Sequence, residues 1–315
     1  MKGRGLSRPR LFFLWYVFAV NLRSIFVPMP TPFRDGEVDV RAIRSNVRRW
    51  MDAGLGGIVA LGTNGEAALL DDDEGQRVVE AARQEIPADR VLIAGAGRES
   101  TRAAIAAARQ AAAAGADAVL VKTPYTYKAH VPAPGLIAHY TAVADASPVP
   151  VLLYNFPGST GVNLAPETVA RLASHPNIAG MKETSTDAAQ FADLSAAVPG
   201  TFTVLCGAAP GVFGGLCNGA GGAIIAVAAL LTAPCLELLA HVRAGRYDEA
   251  LAIQHRITPL ARAVTTVFGV PGLKAALNLA GFDAGEPRPP LAPLPADAVE
   301  KLRAVLDASL SLHNV

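Results

Sequence analysis

"PVLLYNFPGSTGVNLAPETVARLASHPNIAGMKE", residues 150–183, contains two short apolar runs, PVLLYN at 150–155 and IAGMKE at 178–183, separated by a longer mixed connection. Neither run alternates apolar with polar residues, as a strand with one wet face would. Continuous apolar runs suit parallel strands covered on both faces, and parallel neighbours need a long crossover between them. The same unit recurs on either side. IFVPMP at 25–30, GIVALG at 57–62, VLIAGA at 91–96 and DAVLVK at 117–122 precede it; TVLCG at 203–207 and GAIIAV at 222–227 follow. Between runs lie helical patterns such as DVRAIRSNVRRWMDAG, DEGQRVVEAARQEI and TRAAIAAARQAAAAG, each closing near a Gly or Pro. Eight such runs with crossovers predict an α/β chain folded as a closed (β/α)8 TIM barrel over 25–231, in preference to an open doubly wound sheet.

Residues 232–315 read as further helices with a Pro-rich break at EPRPPLAPLP, too much chain for one closing helix. A small helical C-terminal extension packed on the barrel is expected, with no linker to separate it. Residues 1–24 are different: basic MKGRGLSRPR, then the ten-residue apolar run LFFLWYVFAV. The run is too short to span a bilayer and no A-x-A site follows it. An export segment, an organelle presequence and sequence upstream of a misassigned start are the readings. The last is preferred, so no stable membrane association and a cytoplasmic location are expected.

Composition removes whole classes of function. The chain of 315 residues is 51% hydrophobic and only 17% charged, with 28 basic against 27 acidic side chains and a net charge of +1. That balance offers no electrostatic footprint for nucleic acid. Cys206, Cys217 and Cys235 have no C-x-x-C spacing and sit in or beside apolar runs, so reduced core or near-core thiols are expected. The six histidines lack metal-ligand spacing. VLIAGAGREST after the third run imitates a dinucleotide turn, but Ser100 stands where the last glycine of G-x-G-x-x-G belongs. Neither a metal nor a dissociable cofactor is expected.

In a barrel of this kind chemistry gathers at the C-terminal strand ends. Those ends read GTNGE, KTPYTY, YNFPGSTG, MKETS and CGAAPG. Lys182 closes an apolar run, with Gly180 and Ile178 on its face and Met181 and Ala179 on the other. A lysine there could simply mark the strand reaching water; held half-dry, it could be a nucleophile. Tyr154 ends the neighbouring strand and could carry its protons. A core aromatic and a turn-shaping Thr63–Asn64–Gly65 are the plainer readings. Lys122, which also ends an apolar run, is the rival nucleophile.

Taken together, GTNGEAALL, TPYTY, YNFPGSTG, GMKE, CGAAPGVFGG and LKAALNLAGFD…RPPLAPL resemble the dihydrodipicolinate synthase and N-acetylneuraminate lyase family of Schiff-base aldolases, across about residues 25 to 295. The resemblance implies a (β/α)8 barrel, usually assembled as a homotetramer, that takes a small 2-oxo acid such as pyruvate. It implies that Lys182 forms the imine and that Tyr154 shuttles protons. Thr63 would link that tyrosine to a second one, Tyr125 or Tyr127. Asn64, with the amides of the turn through Gly65, would hold the substrate carboxylate; Gly207 and Ile224 would line the pocket through backbone oxygens.

Ser159 departs from the pattern. Members that make dihydrodipicolinate carry an arginine there to grip the second substrate's carboxylate, and a hydroxyl cannot replace a bidentate guanidinium. Asn64 together with HPNIAGMKE, HYTAVADASPVPVLLYN and FGVPGLKAAL resembles more the branch that cleaves 4-hydroxy-2-oxoglutarate to pyruvate and glyoxylate, which is put first. Dihydrodipicolinate synthesis, or an aldolase or dehydratase for a sugar-derived 2-oxo acid, comes second. A catalytically idle barrel that only binds a 2-oxo acid is the reading from another class.

Overall fold

A computed structural model describes residues 20–185 and 187–311. Its strands are β1 (Ile25–Pro28), β2 (Phe33–Arg34), β3 (Glu37–Val38), β4 (Gly57–Ala60), β5 (Val91–Gly95), β6 (Ala118–Lys122), β7 (Val151–Asn155), β8 (Ile178–Glu183), β9 (Thr203–Cys206) and β10 (Gly222–Ile224). All but β2 and β3 pair in parallel and close into an eight-stranded barrel, in the order β1-β10-β9-β8-β7-β6-β5-β4. The fold is the expected (β/α)8 barrel.

Helices α1 (Val40–Asp52), α2 (Asp72–Arg83), α3 (Thr101–Ala113), α4 (Ala133–Ala146), α5 (Pro157–Thr160), α6 (Pro166–Ala173), α7 (Ala188–Ala197) and α8 (Val212–Cys217) connect the strands. Their starts follow from local chemistry, because the first amides of a helix lack partners and a short polar side chain supplies one. Asp39 accepts from the amides of Arg41 and Ala42, and Ser100 from Ala103. Asp71 and Glu74 cap each other's backbone reciprocally. Helices α9 (Thr232–Arg243), α10 (Tyr247–Arg262), α11 (Gly269–Leu279) and α12 (Ala296–Ser311) follow the last strand. Arg288, in the Pro-rich break, reaches back to both oxygens of Glu74 on α2 at 2.7 Å.

Two apolar layers result. Outward strand residues meet the helices, whereas Phe26, Val59, Ile93, Leu120, Leu152, Leu205 and Ile224 fill the lumen. Leu22 is buried with this lumenal set, so the ordered fold begins before Ile25, the expected start. The stretch through residue 19 lies outside the described residues. The alternation expected for β8 is broken at its start. Register shifts between Val151 and Leu152, which pair with Ile178 and Gly180, and Ile178 joins the outer layer while Ala179 packs on the lumenal one. From Gly180 onward the parity holds, with Met181 outward.

The β2–β3 hairpin had no counterpart among the expected strands. Its signal is Asp35-Gly36, both at positive φ (53° and 83°), the dipeptide favoured in two-residue hairpin turns. Cys206 and Cys235 are buried free thiols, the former pushed up to about 12 by burial and by the nearby Glu183 charge. Cys217 is a free thiol too but exposed, against expectation: it is the last residue of the short helix α8, whose buried residues are Val212, Gly215 and Leu216. Among the described residues no helix is long and apolar enough to cross a membrane.

Candidate active site

Register places Tyr154 directly beside Lys182, on β7 and β8. The lysine Nζ donates to Tyr154 Oη at 3.4 Å and lies 4.5 Å from the centre of the tyrosine ring. Both side chains are enclosed, Lys182 at 7% exposure and Tyr154 at 4%. Phe156 stacks on the tyrosine ring, with centroids 6.0 Å apart. An amine and a phenol are thus held together at the mouth of an apolar lumen.

Lys122 pairs with Tyr154 on the opposite side, through β6. Its amine instead sits over the face of Tyr125, 4.8 Å from the ring centre. Only Lys182 shares a hydrogen bond with the Tyr154 hydroxyl among the described residues.

Strand β9 shapes the space around the lysine. A Cβ on Gly207 would stand 2.9 Å from Lys182 Cε and would collide with Thr184 Oγ1. Only glycine lets the two strand ends approach this closely. Ile224 lies in the same lumenal cluster as Tyr154 and Leu205.

Thr63, Asn64 and Gly65 form the turn after β4. Gly65 is buried against the Met29 carbonyl, and its own carbonyl accepts from Thr31 Oγ1 at 2.6 Å. Thr63 is exposed, and no hydrogen bond joins it to Tyr154 or to another tyrosine among the described residues. Tyr125 and Tyr127 are 40% and 71% exposed. Glu99 accepts from the amides of Tyr125 and Thr126 at 3.1 and 2.8 Å, and this anchors their loop at the rim. One chain therefore brings Lys182, Tyr154, Gly207 and Ile224 together but closes no relay through Thr63 to a second tyrosine. Ser159 is exposed on α5, and its amide donates to the Phe156 carbonyl at 3.0 Å.

A polar network unforeseen from sequence lies behind the pair. Glu183 is fully buried; its Oε2 accepts from Asn155 Nδ2 at 2.8 Å and Gln190 Nε2 at 2.9 Å, and its Oε1 from the Ser185 amide at 2.7 Å. Asn155 Oδ1 in turn accepts from the Leu164 amide at 3.0 Å. Asn155 and Glu183 follow Tyr154 and Lys182 directly, so they point to the opposite face and tie down the two strand ends. Polar residues immediately after the site residues, still within apolar runs, were the available signal.

Residues 21–309 match the model of the dihydrodipicolinate synthetase family. The chain belongs to this family. It is 38% identical over 284 residues to a 4-hydroxy-tetrahydrodipicolinate synthase of Geobacter metallireducens, covering 90% of this chain and 97% of that one. It is 36% identical over 285 residues to the enzyme of the same name from an Exiguobacterium species, with the same coverage. A crystal structure of the chloride-inhibited dihydrodipicolinate synthase from Acinetobacter baumannii, complexed with pyruvate, superposes with a TM-score of 0.85 at 33% identity, covering 91% of this chain and 98% of that one. Dihydrodipicolinate synthetase family members make or break carbon–carbon bonds through a lysine Schiff base, and this chain is an enzyme of that class.

Proposed function

We propose that the chain forms an imine between Lys182 and pyruvate and then joins the bound three-carbon unit to an aldehyde. The buried Lys182–Tyr154 contact at 3.4 Å is the observation that carries this reading. The neutral amine adds to the ketone carbon, and Tyr154 moves the protons that let water leave. The iminium draws electrons from the methyl group, which loses a proton to give an enamine. Enamine carbon attacks the aldehyde, and the new alkoxide takes a proton before water releases the product from Lys182. The pyruvate carboxylate would lie on the free amides of Thr63 and Asn64, with the Asn64 side chain beside them.

For the second substrate, the names of the relatives favour 4-hydroxy-tetrahydrodipicolinate synthesis over the 4-hydroxy-2-oxoglutarate cleavage put first from sequence. That product is a nitrogen-containing ring with two carboxylates. Pyruvate brings one carboxylate, so its partner must bring the aldehyde, the amine and the other carboxylate, as aspartate β-semialdehyde does. Ser159, an exposed hydroxyl, departs from the arginine that the resemblance implies for dihydrodipicolinate synthesis, and this departure keeps 4-hydroxy-2-oxoglutarate cleavage as the runner-up, although glyoxylate too carries a carboxylate. We further propose that the working assembly is a homotetramer, in which a neighbouring copy could supply the tyrosine that one chain leaves at the rim.

Borohydride reduction in the presence of pyruvate, followed by peptide mass measurement, tests the imine. A reduced adduct on the peptide bearing Lys182 is expected; a folded protein without one refutes the proposal. Turnover with aspartate β-semialdehyde against glyoxylate then separates the two reactions.

A further inference from the structure

The turn that follows β4 is held by a buried charge pair with no part in the imine steps. The amides of Thr63 and Asn64 have no acceptor among the described residues, so two consecutive donors stand free there. Glu66, two residues on, adopts a left-handed backbone (φ 55°, ψ 32°), a conformation that costs a side-chain-bearing residue free energy. Its carboxylate is completely enclosed. One oxygen lies 2.6 Å from Lys274 Nζ on α11, and the other accepts from the Arg288 amide at 2.8 Å.

Lys274 is equally enclosed. It also donates to the Glu286 carbonyl at 2.8 Å and sits 4.3 Å from the centre of the Phe33 ring. Arg288 lies over the same ring at 4.2 Å and donates to the carbonyls of Leu69 and Gly36 as well as to Glu74. Thr31 Oγ1 holds the Gly65 carbonyl from the barrel side. The turn is gripped from two directions, by β1's continuation and by the C-terminal extension.

A buried ion pair contributes little net stability, because desolvating two charges offsets most of their attraction. Burial does push the Lys274 amine down, against the pull of Glu66. What the pair contributes is a fixed backbone. We propose that Glu66 and Lys274 are positioning residues for the substrate carboxylate: by locking the left-handed residue after the turn, they aim the Thr63 and Asn64 amides at one point. The C-terminal extension is thereby part of the binding apparatus, although it supplies no group that touches substrate. This rests on reading that turn as the carboxylate cradle.

The test measures borohydride trapping at Lys182 as a function of pyruvate concentration, for Glu66→Gln and for the double variant Glu66→Gln/Lys274→Met. The double variant buries no unpaired charge and keeps an oxygen for the Arg288 amide, so it is the one read if the single variant does not fold. The pyruvate concentration for half-maximal trapping is expected to rise on the order of tenfold or more, with the saturated rate changed by less than about threefold. Lys274→Arg alone, which keeps a positive charge opposite Glu66, is expected to retain much of the affinity that the other two variants lose. Folded variants with unchanged half-saturation would overturn the proposal and leave the pair a purely structural tie. Failure of the unaltered protein to be trapped at Lys182 would instead overturn the imine reading.

Discussion

Replacing Gly207 with alanine puts one methyl group against the lysine. The new Cβ would lie 2.9 Å from Lys182 Cε and 3.0 Å from the Glu183 carbonyl, and it would also strike Thr184 Oγ1. Carbon atoms rest at about 3.5–4.0 Å, so the lysine tip must retreat by roughly 0.6–1 Å. A displacement near 1 Å at the reacting atom costs about 100-fold in rate, equivalent to about 2.7 kcal/mol in the barrier. Overpacking itself should cost about 1–3 kcal/mol of stability. At about 2–4 °C per kcal/mol, Tm falls by roughly 2–12 °C. Gly214→Ala is the control, since nothing lies within 4 Å of its added methyl. It should leave trapping unchanged and stabilise helix α8 by about 0.5–1 kcal/mol. The assay is the initial rate of borohydride-trapped adduct at saturating pyruvate, beside a thermal melt. A Gly207→Ala protein that melts earlier yet is trapped at the unaltered rate would falsify the claim that β9 confines the lysine.

Tyr154→Phe keeps the ring stacked on Phe156 but removes the hydroxyl bonded to Lys182. Imine trapping should slow by about 100- to 10,000-fold while Tm changes by only a few degrees, which stopped-time mass measurement and a melt would check. Lys122→Met should leave trapping at Lys182 within about twofold, because that amine faces Tyr125 rather than the Tyr154 hydroxyl. An adduct lost with Lys122 would reverse the assignment. Acid should weaken the tie between barrel and extension. The Arg288 guanidinium, aided by the Asp71 amide, holds the Glu74 carboxyl below its ordinary 4.5 despite burial. A lowered folded pKa means stability that is fully present above 4.5 and is lost as pH falls through the folded value. Denaturant melts of Arg288→Met against the unaltered protein should therefore differ most near neutrality and converge below pH 4.5; a gap that persists undiminished in acid would refute the linkage.

The barrel strands were legible because each is a continuous apolar run long enough to be distinguished from its helical surroundings. The bulge beside Ile178 was not, since nothing in IAGMKE distinguishes a strand that slips by one residue at its first turn from one that does not. The contact between Lys182 and Tyr154 was legible because each closes one of two successive apolar runs, and their register makes them neighbours. Glu66 and Lys274 could not be paired: more than half the chain separates them, and a charge beside a turn or within a helix reads as solvated until packing shows otherwise. The second tyrosine failed to join the site for a related reason. PYTYK specifies a loop after β6, but the Glu99 carboxylate that anchors that loop comes from the preceding strand–helix unit.

Leu22 has a consequence for traffic. With Phe26 and the lumenal residues above it, this side chain stoppers the N-terminal end of the barrel. Among the described residues, the way to the lysine is then the opposite mouth. A corridor with a single door imposes a queue: on the function proposed above, pyruvate enters first, the aldehyde arrives on top of it, and the bound three-carbon unit is held in until the aldehyde has reacted or withdrawn.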